Sequence, residues 1–189
     1  AITLANIANN FTGAVSATNT GANNVSISDQ NVLPLGTLST GGNLTLAATG
    51  AITQTGPATV SGTSSISAGA ANAITLSDTG NVFTGAVRIV TANNVTLNNN
   101  AAFSFGNGGT SAVSGNLVLT AAGAVTQANT LTVTGTSSID AGANPITLIT
   151  TTNNFGGAVS LSNSGANAIQ VSDTNAIQLG TVSTENNLT

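Results

Sequence analysis

The sequence predicts an all-β fold: a right-handed parallel β-helix, or β-solenoid, with three strands per turn and no significant α-helix. Three observations lead to this fold class. The chain repeats itself every 72 residues, its apolar residues alternate with polar ones in short segments, and only 3% of its 189 residues are charged. Together they describe a chain whose similar turns stack on one another and bury a narrow core between them.

The internal repeat carries most of this prediction. The tripeptide Ile2-Thr3-Leu4 returns as Ile74-Thr75-Leu76 and again as Ile146-Thr147-Leu148. Residues 145–189 align with residues 1–45 without a gap, and 25 of the 45 positions are identical. A fixed period of this size is typical of solenoids, in which each unit buries its apolar face by stacking on the next unit.

The unbroken repeat predicts one continuous body over residues 1–189 rather than separate domains. The expected units are about 1–72, 73–144 and a partial unit at 145–189. The middle unit drifts in phase by one or two residues, so a loop variation is expected at 98–112. The chain begins without Met and stops within a repeat, which leads us to expect a segment of a longer array.

The local pattern predicts strands joined by turns. Segments such as Val25-Ser26-Ile27 and Leu44-Thr45-Leu46 alternate apolar and polar residues, as half-buried strands do. Gly, Asn, Ser and Asp separate them, and these are turn residues. Inward residues recur every six to eight residues or so, which predicts turns of roughly 18–24 residues and three or four turns per unit. Because parallel crossovers are right-handed in nearly all proteins, the coil is expected to be right-handed.

Composition excludes several classes of function. Arg88 is the single basic side chain, so the clustered Lys and Arg that nucleic-acid binding needs are missing. No apolar run approaches the roughly 20 residues of a membrane-spanning helix, and we expect no membrane insertion. The chain has no His and no Cys, which removes the usual zinc ligands and disulfides. We therefore expect no cofactor and no metal site, with a weak calcium site as the minor alternative.

The sequence predicts that the protein is not an enzyme. Its five carboxylates are thinly spread, and no His, Cys, Lys or Tyr is present to act as base or nucleophile. Asp29 and Asp173 occupy the same repeat position, and we interpret them as turn caps that accept backbone hydrogen bonds. No catalytic residue is assigned. The carboxylates are Asp29, Asp78, Asp140, Asp173 and Glu185.

Three recurring residue types, Phe, Thr and Asn, could form a binding surface, and each also has a purely structural interpretation. Phe11, Phe83 and Phe155 share one repeat position, and an internal phenyl ladder is favoured over an exposed row that stacks on sugars. Outward Thr side chains suggest rows for ice or glycan, although Thr is also the ordinary polar residue of strands. Asn pairs are interpreted as corners with left-handed backbone and stacked side chains. The Thr candidates are Thr3, Thr45, Thr75, Thr96, Thr132 and Thr147, and the Asn pairs lie at 9–10, 23–24, 93–94 and 153–154. The N-glycosylation pattern Asn-x-Ser/Thr occurs at Asn10, Asn24, Asn43, Asn94 and Asn187.

Several blocks resemble the repeat region of filamentous-haemagglutinin-like bacterial exoproteins. They are Asn-Asn-Phe-Thr-Gly-Ala-Val at 9–15, Gly-Asn-Leu-Thr-Leu-Ala-Ala at 42–48, Gly-Ala-Ile-Thr-Gln at 50–54 and Ala-Gly-Ala-Asn-Pro-Ile-Thr-Leu at 141–148. The resemblance implies a right-handed β-helix that is exported by a two-partner or autotransporter route to the cell surface or the extracellular space.

The expected function is an extracellular structural shaft, a stiff rod or fibre of a bacterial adhesin, filament or biofilm matrix. The expected partners are neighbouring repeats of the same chain, laterally or end-to-end associated copies, and host or surface glycans. The alternative is a binding module that uses the outward Thr and Asn rows for glycan or ice.

Overall fold

The strands stack into a β-solenoid of about nine turns, described by a computed structural model over residues 1–189. The chain contains strands and turns and no helix, as the sequence predicts, and every strand pairing is parallel. The strands are Ile2–Leu4 (β1), Val15–Asn19 (β2), Val25–Asp29 (β3), Leu33–Thr40 (β4), Leu44–Ala48 (β5), Ile52–Gln54 (β6), Ala58–Val60 (β7), Ser64–Ser67 (β8), Ile74–Leu76 (β9), Val82–Phe83 (β10), Val87–Thr91 (β11), Val95–Asn99 (β12), Phe103–Phe105 (β13), Ser111–Val113 (β14), Leu117–Ala121 (β15), Val125–Gln127 (β16), Leu131–Val133 (β17), Ser137–Asp140 (β18), Ile146–Leu148 (β19), Asn154–Phe155 (β20), Val159–Ser162 (β21), Ile169–Val171 (β22) and Leu179–Ser183 (β23).

The strands lie on three faces, with one strand per face in each turn, except that face II has no strand in the first turn and face I has none in the last. Face I holds β1, β3, β5, β8, β11, β14, β17 and β20. Face II holds the first half of β4, then β6, β9, β12, β15, β18, β21 and β23, and face III holds β2, the second half of β4, β7, β10, β13, β16, β19 and β22. Three strands per turn are therefore confirmed.

Hydrogen bonding joins these faces into sheets of nine, eleven and three strands. Two sheets pass from one face to another, because β4 bends around a corner and β11 pairs with both β8 and β13. Cα partners in neighbouring turns mostly lie 19–23 residues apart, for example Ile2 with Val25 and Val25 with Leu44. The predicted turn length is confirmed.

The 72-residue unit is not a whole number of turns. From Ile74 the stacked positions rise through Val95 and Leu117 to Ser137, which completes three turns. Nine residues remain before the unit repeats at Ile146, which lies on face III instead of face II. Each unit therefore makes about three and one-third turns and moves its sequence pattern around by one face.

The core consists of inward-facing aliphatic residues in stacked columns. Val95 lies between Ile74 below and Leu117 above, and all three are at most 1% exposed. The alternating strand pattern thus buries every second side chain, as predicted. Each backbone layer is bonded to the layers above and below, so the columns form one continuous apolar core.

The variation at 98–112 is a turn at the corner between faces III and I. Gly106, Asn107 and Gly108 there have positive φ angles, and Asn107 is the one non-glycine residue of the chain in that conformation. The strand that precedes the turn buries Phe103 and Phe105, whose rings meet edge to face with centroids 4.8 Å apart. The phase drift of the middle unit is therefore absorbed at a corner, without loss of the core.

The Phe repeat position lies in the core but does not form a ladder. Phe83 is 1% and Phe155 4% exposed, which confirms their internal placement, and Phe11 packs against the core while partly exposed. The predicted phenyl ladder is wrong, because successive units rotate by one face. Phe83 lies on face III and Phe155 on face I, more than three turns apart.

Burial of one repeat position can be tested with a matched pair of variants. Leu76 is fully buried, whereas the equivalent Leu4 in the first turn is 39% exposed. Leu76→Ala is expected to lower the free energy of unfolding by about 2–5 kcal/mol, because it leaves a cavity in the column. Leu4→Ala is the control and is expected to cost less than half as much. Urea unfolding monitored by circular dichroism measures both, and equal losses would contradict the stacked core.

Candidate functional site

The two carboxylates at the shared repeat position are caps for backbone groups. Asp29 is 2% exposed; its Oδ2 accepts a hydrogen bond from the Phe11 backbone N at 2.8 Å, and its Oδ1 accepts one from the Asn31 N at 2.8 Å. Asp173 Oδ1 accepts a hydrogen bond from the Phe155 N at 3.2 Å. The interpretation as turn caps is confirmed, and the two groups lie at different corners of the coil, near its opposite ends.

The middle unit performs the same capping without a charge. Asn99 occupies the position that corresponds to Asp29 and Asp173, with the two-residue phase drift of that unit. Its Oδ1 accepts a hydrogen bond from the Phe83 backbone N at 2.7 Å, and it is fully buried. Because an amide oxygen replaces the carboxylate at an equivalent place, the position requires a hydrogen-bond acceptor and not an acid.

The remaining acidic residues lie apart from one another. Asp78 and Asp140 each close a local turn, in which Oδ1 accepts a hydrogen bond from the backbone N of Gly80 at 2.8 Å or of Gly142 at 2.9 Å. Glu185 is exposed in the last turn. No group of three or more His, Cys, Asp or Glu side chains lies close enough together to hold a metal ion.

Paired amides inside the corners are a feature that the sequence analysis missed. Asn81 and Gln54, from successive turns, exchange two side-chain hydrogen bonds of 2.9 and 2.8 Å, and Asn81 Oδ1 also accepts one from the Ala58 backbone N. One unit later, Asn153 and Gln127 form the same pair at 2.7 and 2.8 Å. The sequence signal for this pair is that Gln54 recurs as Gln127 and Asn81 recurs as Asn153, one unit later.

A second ladder of amides runs along the outside of the corners. Asn24 Oδ1 accepts a hydrogen bond from the Asn43 backbone N at 3.0 Å, and Asn43 Oδ1 accepts one from the Thr63 N at 2.9 Å. Asn94 and Asn116 repeat this arrangement before face II. Stacking of corner Asn residues is thus confirmed, but the predicted left-handed backbone is wrong for the four Asn pairs, since none of them has a positive φ.

The outward Thr residues are divided among the three faces. Thr3 and Thr45 lie on face I with Ser26 between them. Thr75 and Thr96 lie on face II, where the next position is occupied by Val118. The six Thr candidates all point outward, as predicted, yet they alternate with other residues and form no flat array of one residue type.

A Ser side chain meets a Gly-Thr pair of the next turn in the first and third units, an arrangement called here the Ser corner. In the middle unit the Ser is replaced. Ser16 Oγ accepts a hydrogen bond from the Thr37 backbone N at 3.1 Å, and Ser160 Oγ accepts one from the Thr181 N at 3.1 Å. In both cases the glycine before the Thr lies directly above the Ser hydroxyl, where a Cβ would overlap it. In the middle unit Arg88 stands in place of the Ser, and its Nε donates a hydrogen bond to the Thr110 carbonyl at 3.1 Å.

The fold and these ladders define the class of protein as a β-solenoid repeat protein. The chain belongs to a family described as repeats of unknown function (DUF5649), whose model matches residues 22–90 and 92–162. Each match spans close to one 72-residue unit, so the family model and the internal repeat have nearly the same length. No curated protein and no solved structure matches the chain.

The strands are the sole regular elements of this fold, and no helix long and apolar enough to cross a membrane occurs.

Replacement of Asp29 separates charge from hydrogen bonding. Asp29→Asn keeps an acceptor oxygen and is expected to change the free energy of unfolding little. Asp29→Ala leaves the Phe11 N–H without a partner and is expected to cost about 1–3 kcal/mol. Urea unfolding of both variants measures the difference. If Asn destabilises the chain as much as Ala, the carboxylate has a role beyond capping.

The glycine of the Ser corner gives a test with a built-in rescue. Gly36→Ala places a methyl group against Ser16 Oγ and is expected to destabilise the chain by about 1–3 kcal/mol. Ser16→Ala removes the hydroxyl, so the double variant is expected to recover part of this loss. Thermal unfolding of the two single variants and the double variant forms the cycle. Strict additivity would mean that the two side chains do not meet.

Proposed function

We propose that the protein is the structural shaft of a bacterial surface adhesin or filament and forms a stiff extracellular rod. The observation that carries this proposal is the single stack of turns. Each inner turn is bonded through its backbone to the turns above and below, and one apolar core continues from Ala17 to Ile169. Such a body resists bending because any bend must break several parallel strand pairings on the outer side of the curve.

The buried polar side chains of the corners support a mechanical role. Asp29, Asn81 and Asn153 are buried, and their oxygens bind backbone N–H groups at the corners. These side chains hold successive turns together and face no open cleft. Where an enzyme places its polar groups around a substrate, this chain uses them to close its own turns.

The rotation of each unit by one face also favours a shaft over a flat binding module. A row that recognises ice or a repetitive glycan needs the same residue at every turn on one face. Here a given unit position returns to the same face only after three units, because each unit advances it by one face. A long array therefore presents a similar mixture of outward residues on all three faces. This suits a rod whose sides all contact either solvent or neighbouring rods.

The proposed location is extracellular or on the bacterial cell surface, and the proposed roles in an adhesin, filament or biofilm matrix rest on the resemblance given above. A chain without Cys can cross an outer-membrane pore unfolded, with no disulfide to obstruct it. Outer faces made mostly of Ser, Thr and Asn, with few charged side chains, allow rods to associate laterally with little electrostatic repulsion. Surface glycans are the proposed further partners, through the outward Thr and Asn side chains.

Length is the property that tests a shaft most directly. Insertion of a second copy of residues 73–144 after residue 144 adds one unit, or three and one-third turns. At ~4.8 Å per turn, the rod is expected to lengthen by about 16 Å. Small-angle X-ray scattering measures the maximum dimension, and a flexible Gly/Ser insertion of the same number of residues is the control. If the maximum dimension stays unchanged, or increases no more regularly than with the Gly/Ser insertion, the chain is not a rigid rod that lengthens by a fixed amount per unit.

The biological role needs a test on cells. Immunogold electron microscopy of intact bacteria that express the chain is expected to place this segment along surface rods, and protease treatment of intact cells is expected to remove it. Labelling confined to the cytoplasm would overturn the proposal. The alternative of ice binding predicts thermal hysteresis in a solution of the purified chain, whereas a shaft predicts none.

A further inference from the structure

The irregular corner between faces III and I holds the single Asn-Gly sequence of the chain, Asn107-Gly108. Asn107 is half-buried and has a φ angle of 101°, and Gly106 and Gly108 beside it have φ angles of 149° and 75°. A non-glycine residue in this conformation is uncommon and is held there by its surroundings. Gly108 is exposed, and a Cβ added to it would meet nothing within 4 Å, so water reaches this peptide bond.

Asn-Gly is the dipeptide in which asparagine deamidates most easily. The backbone N of the glycine attacks Cγ of the Asn side chain, a succinimide ring closes, and the side-chain nitrogen leaves as ammonia with the proton from the glycine N. Water then adds to one of the two ring carbonyls, the ring opens, and a proton returns to the glycine N. The product is aspartate or isoaspartate, and water is the only co-reactant. Glycine favours the attack because it has no Cβ that restricts the backbone.

Two hydrogen bonds hold the two reacting groups of this corner apart. Asn107 Nδ2, on the amide that would leave, donates a hydrogen bond to Ser65 Oγ at 3.1 Å. The backbone N of Gly108, which would attack, donates one to Asn129 Oδ1 at 3.1 Å. Both bonds must break before the ring can close, so the neighbouring turns restrain the reaction.

The other asparagines of the chain do not combine a following glycine with access to water. Asn163 precedes a serine, but it is 1% exposed and its amide is bonded at both ends to backbone groups. Asn94 and Asn116 of the outer ladder precede Val and Leu, whose branched side chains hinder the attack. The irregular corner is therefore the place where the chemistry of the chain favours deamidation.

Arg88 lies next to the place where the new carboxylate would form. Ser65, which accepts the Asn107 hydrogen bond, is the register partner of Arg88 in the turn below. In the turn above, Arg88 Nε donates a hydrogen bond to the Thr110 carbonyl at 3.1 Å, three residues after Asn107. The Asn107 side chain thus passes the level of Arg88 on its way to Ser65. A carboxylate and a guanidinium at such a place form a charge-assisted pair.

We propose that Asn107 is a site of spontaneous deamidation and that Arg88 holds the aspartate product. The reaction replaces the neutral bond between Asn107 and Ser65 by an ionic contact with the single basic side chain of the protein. Because water is the only co-reactant, the modified fraction rises with the age of the protein. This inference is independent of the shaft role, since the corner reacts in the same way whatever the rod carries.

The rate of deamidation tests the site and its two restraints. The full folded chain is incubated in neutral buffer, and digestion followed by mass spectrometry measures aspartate and isoaspartate at every asparagine. Asn107 is expected to react first. Asn129→Ala frees the Gly108 N and is expected to speed the reaction at Asn107 about 5-fold, the factor that one ordinary hydrogen bond supplies. Asn116→Ala removes the same kind of amide acceptor at another corner and is expected to leave this rate unchanged.

A second matched pair tests the other restraint. Ser65→Ala frees the Asn107 amide and is also expected to speed the reaction about 5-fold. Ser26→Ala removes a hydroxyl from the same outward column of face I, and no change at Asn107 is expected. If either accelerating variant fails to fold, the other variant and its control decide the result.

The ionic contact is tested with a thermodynamic cycle on the product. Asn107→Asp is expected to give a higher melting temperature in the chain that keeps Arg88 than in the Arg88→Gln background, beyond the effect of Arg88→Gln alone. Because the contact is ionic and partly exposed, this excess is expected to shrink in concentrated salt. Asp29→Asn in both backgrounds is the control, since Asp29 lies far from Arg88 and is expected to show no coupling.

Three outcomes would overturn the proposal. They are faster deamidation at another asparagine, an Asn107 rate that neither Ser65→Ala nor Asn129→Ala raises, and strict additivity of Asn107→Asp with Arg88→Gln. None of them would change the rod measurements, because those depend on the stacking of turns and not on the chemistry of one corner.

Discussion

Parallel backbone hydrogen bonding between successive turns is the constraint on which the rest of this structure depends. It places each residue directly above one that lies about twenty positions earlier in the chain, as Val25 lies below Leu44 and Leu44 below Ser64. Stacked strands lie ~4.8 Å apart, so neighbouring side chains must fit each other in every column. The sequence meets this requirement with Ile, Leu, Val and Ala in most of the inward positions, and a few Phe.

The corners pose the harder problem, because backbone groups leave the sheets there and must find other partners. Gln54 and Asn81 meet inside one corner, while Asn24 and Asn43 stack outside another. These amides each bind both a neighbouring turn and the backbone, and a buried backbone N–H without a partner would be costly. The polar residues that look most like candidates for chemistry are therefore part of the scaffold.

Much of the fold could be predicted because it depends on local alternation and on the repeat, both of which are visible in one sequence. Alternation in segments such as Leu44-Thr45-Leu46 determines which side chains face inward, and the period limits the turn length. The candidate site was predicted in part. Asp29 was correctly interpreted as a cap, whereas the Gln54–Asn81 pair was missed, because its two members lie 27 residues apart and meet only after the turn length is known. The prediction of a phenyl ladder was wrong for a similar reason, because residues at the same repeat position were assumed to be neighbours in space.

The sequence by itself determined the strands, their inward and outward sides, the solenoid class and the shortage of catalytic groups. The tertiary structure decided the phase between unit and turn, and with it which side chains become neighbours. The physical reason is that periodicity along a chain carries no information on rotation about an axis. Ile74 and Ile146 begin the same tripeptide, yet Ile74 stacks with Val95 on face II and Ile146 stacks with Ile169 on face III.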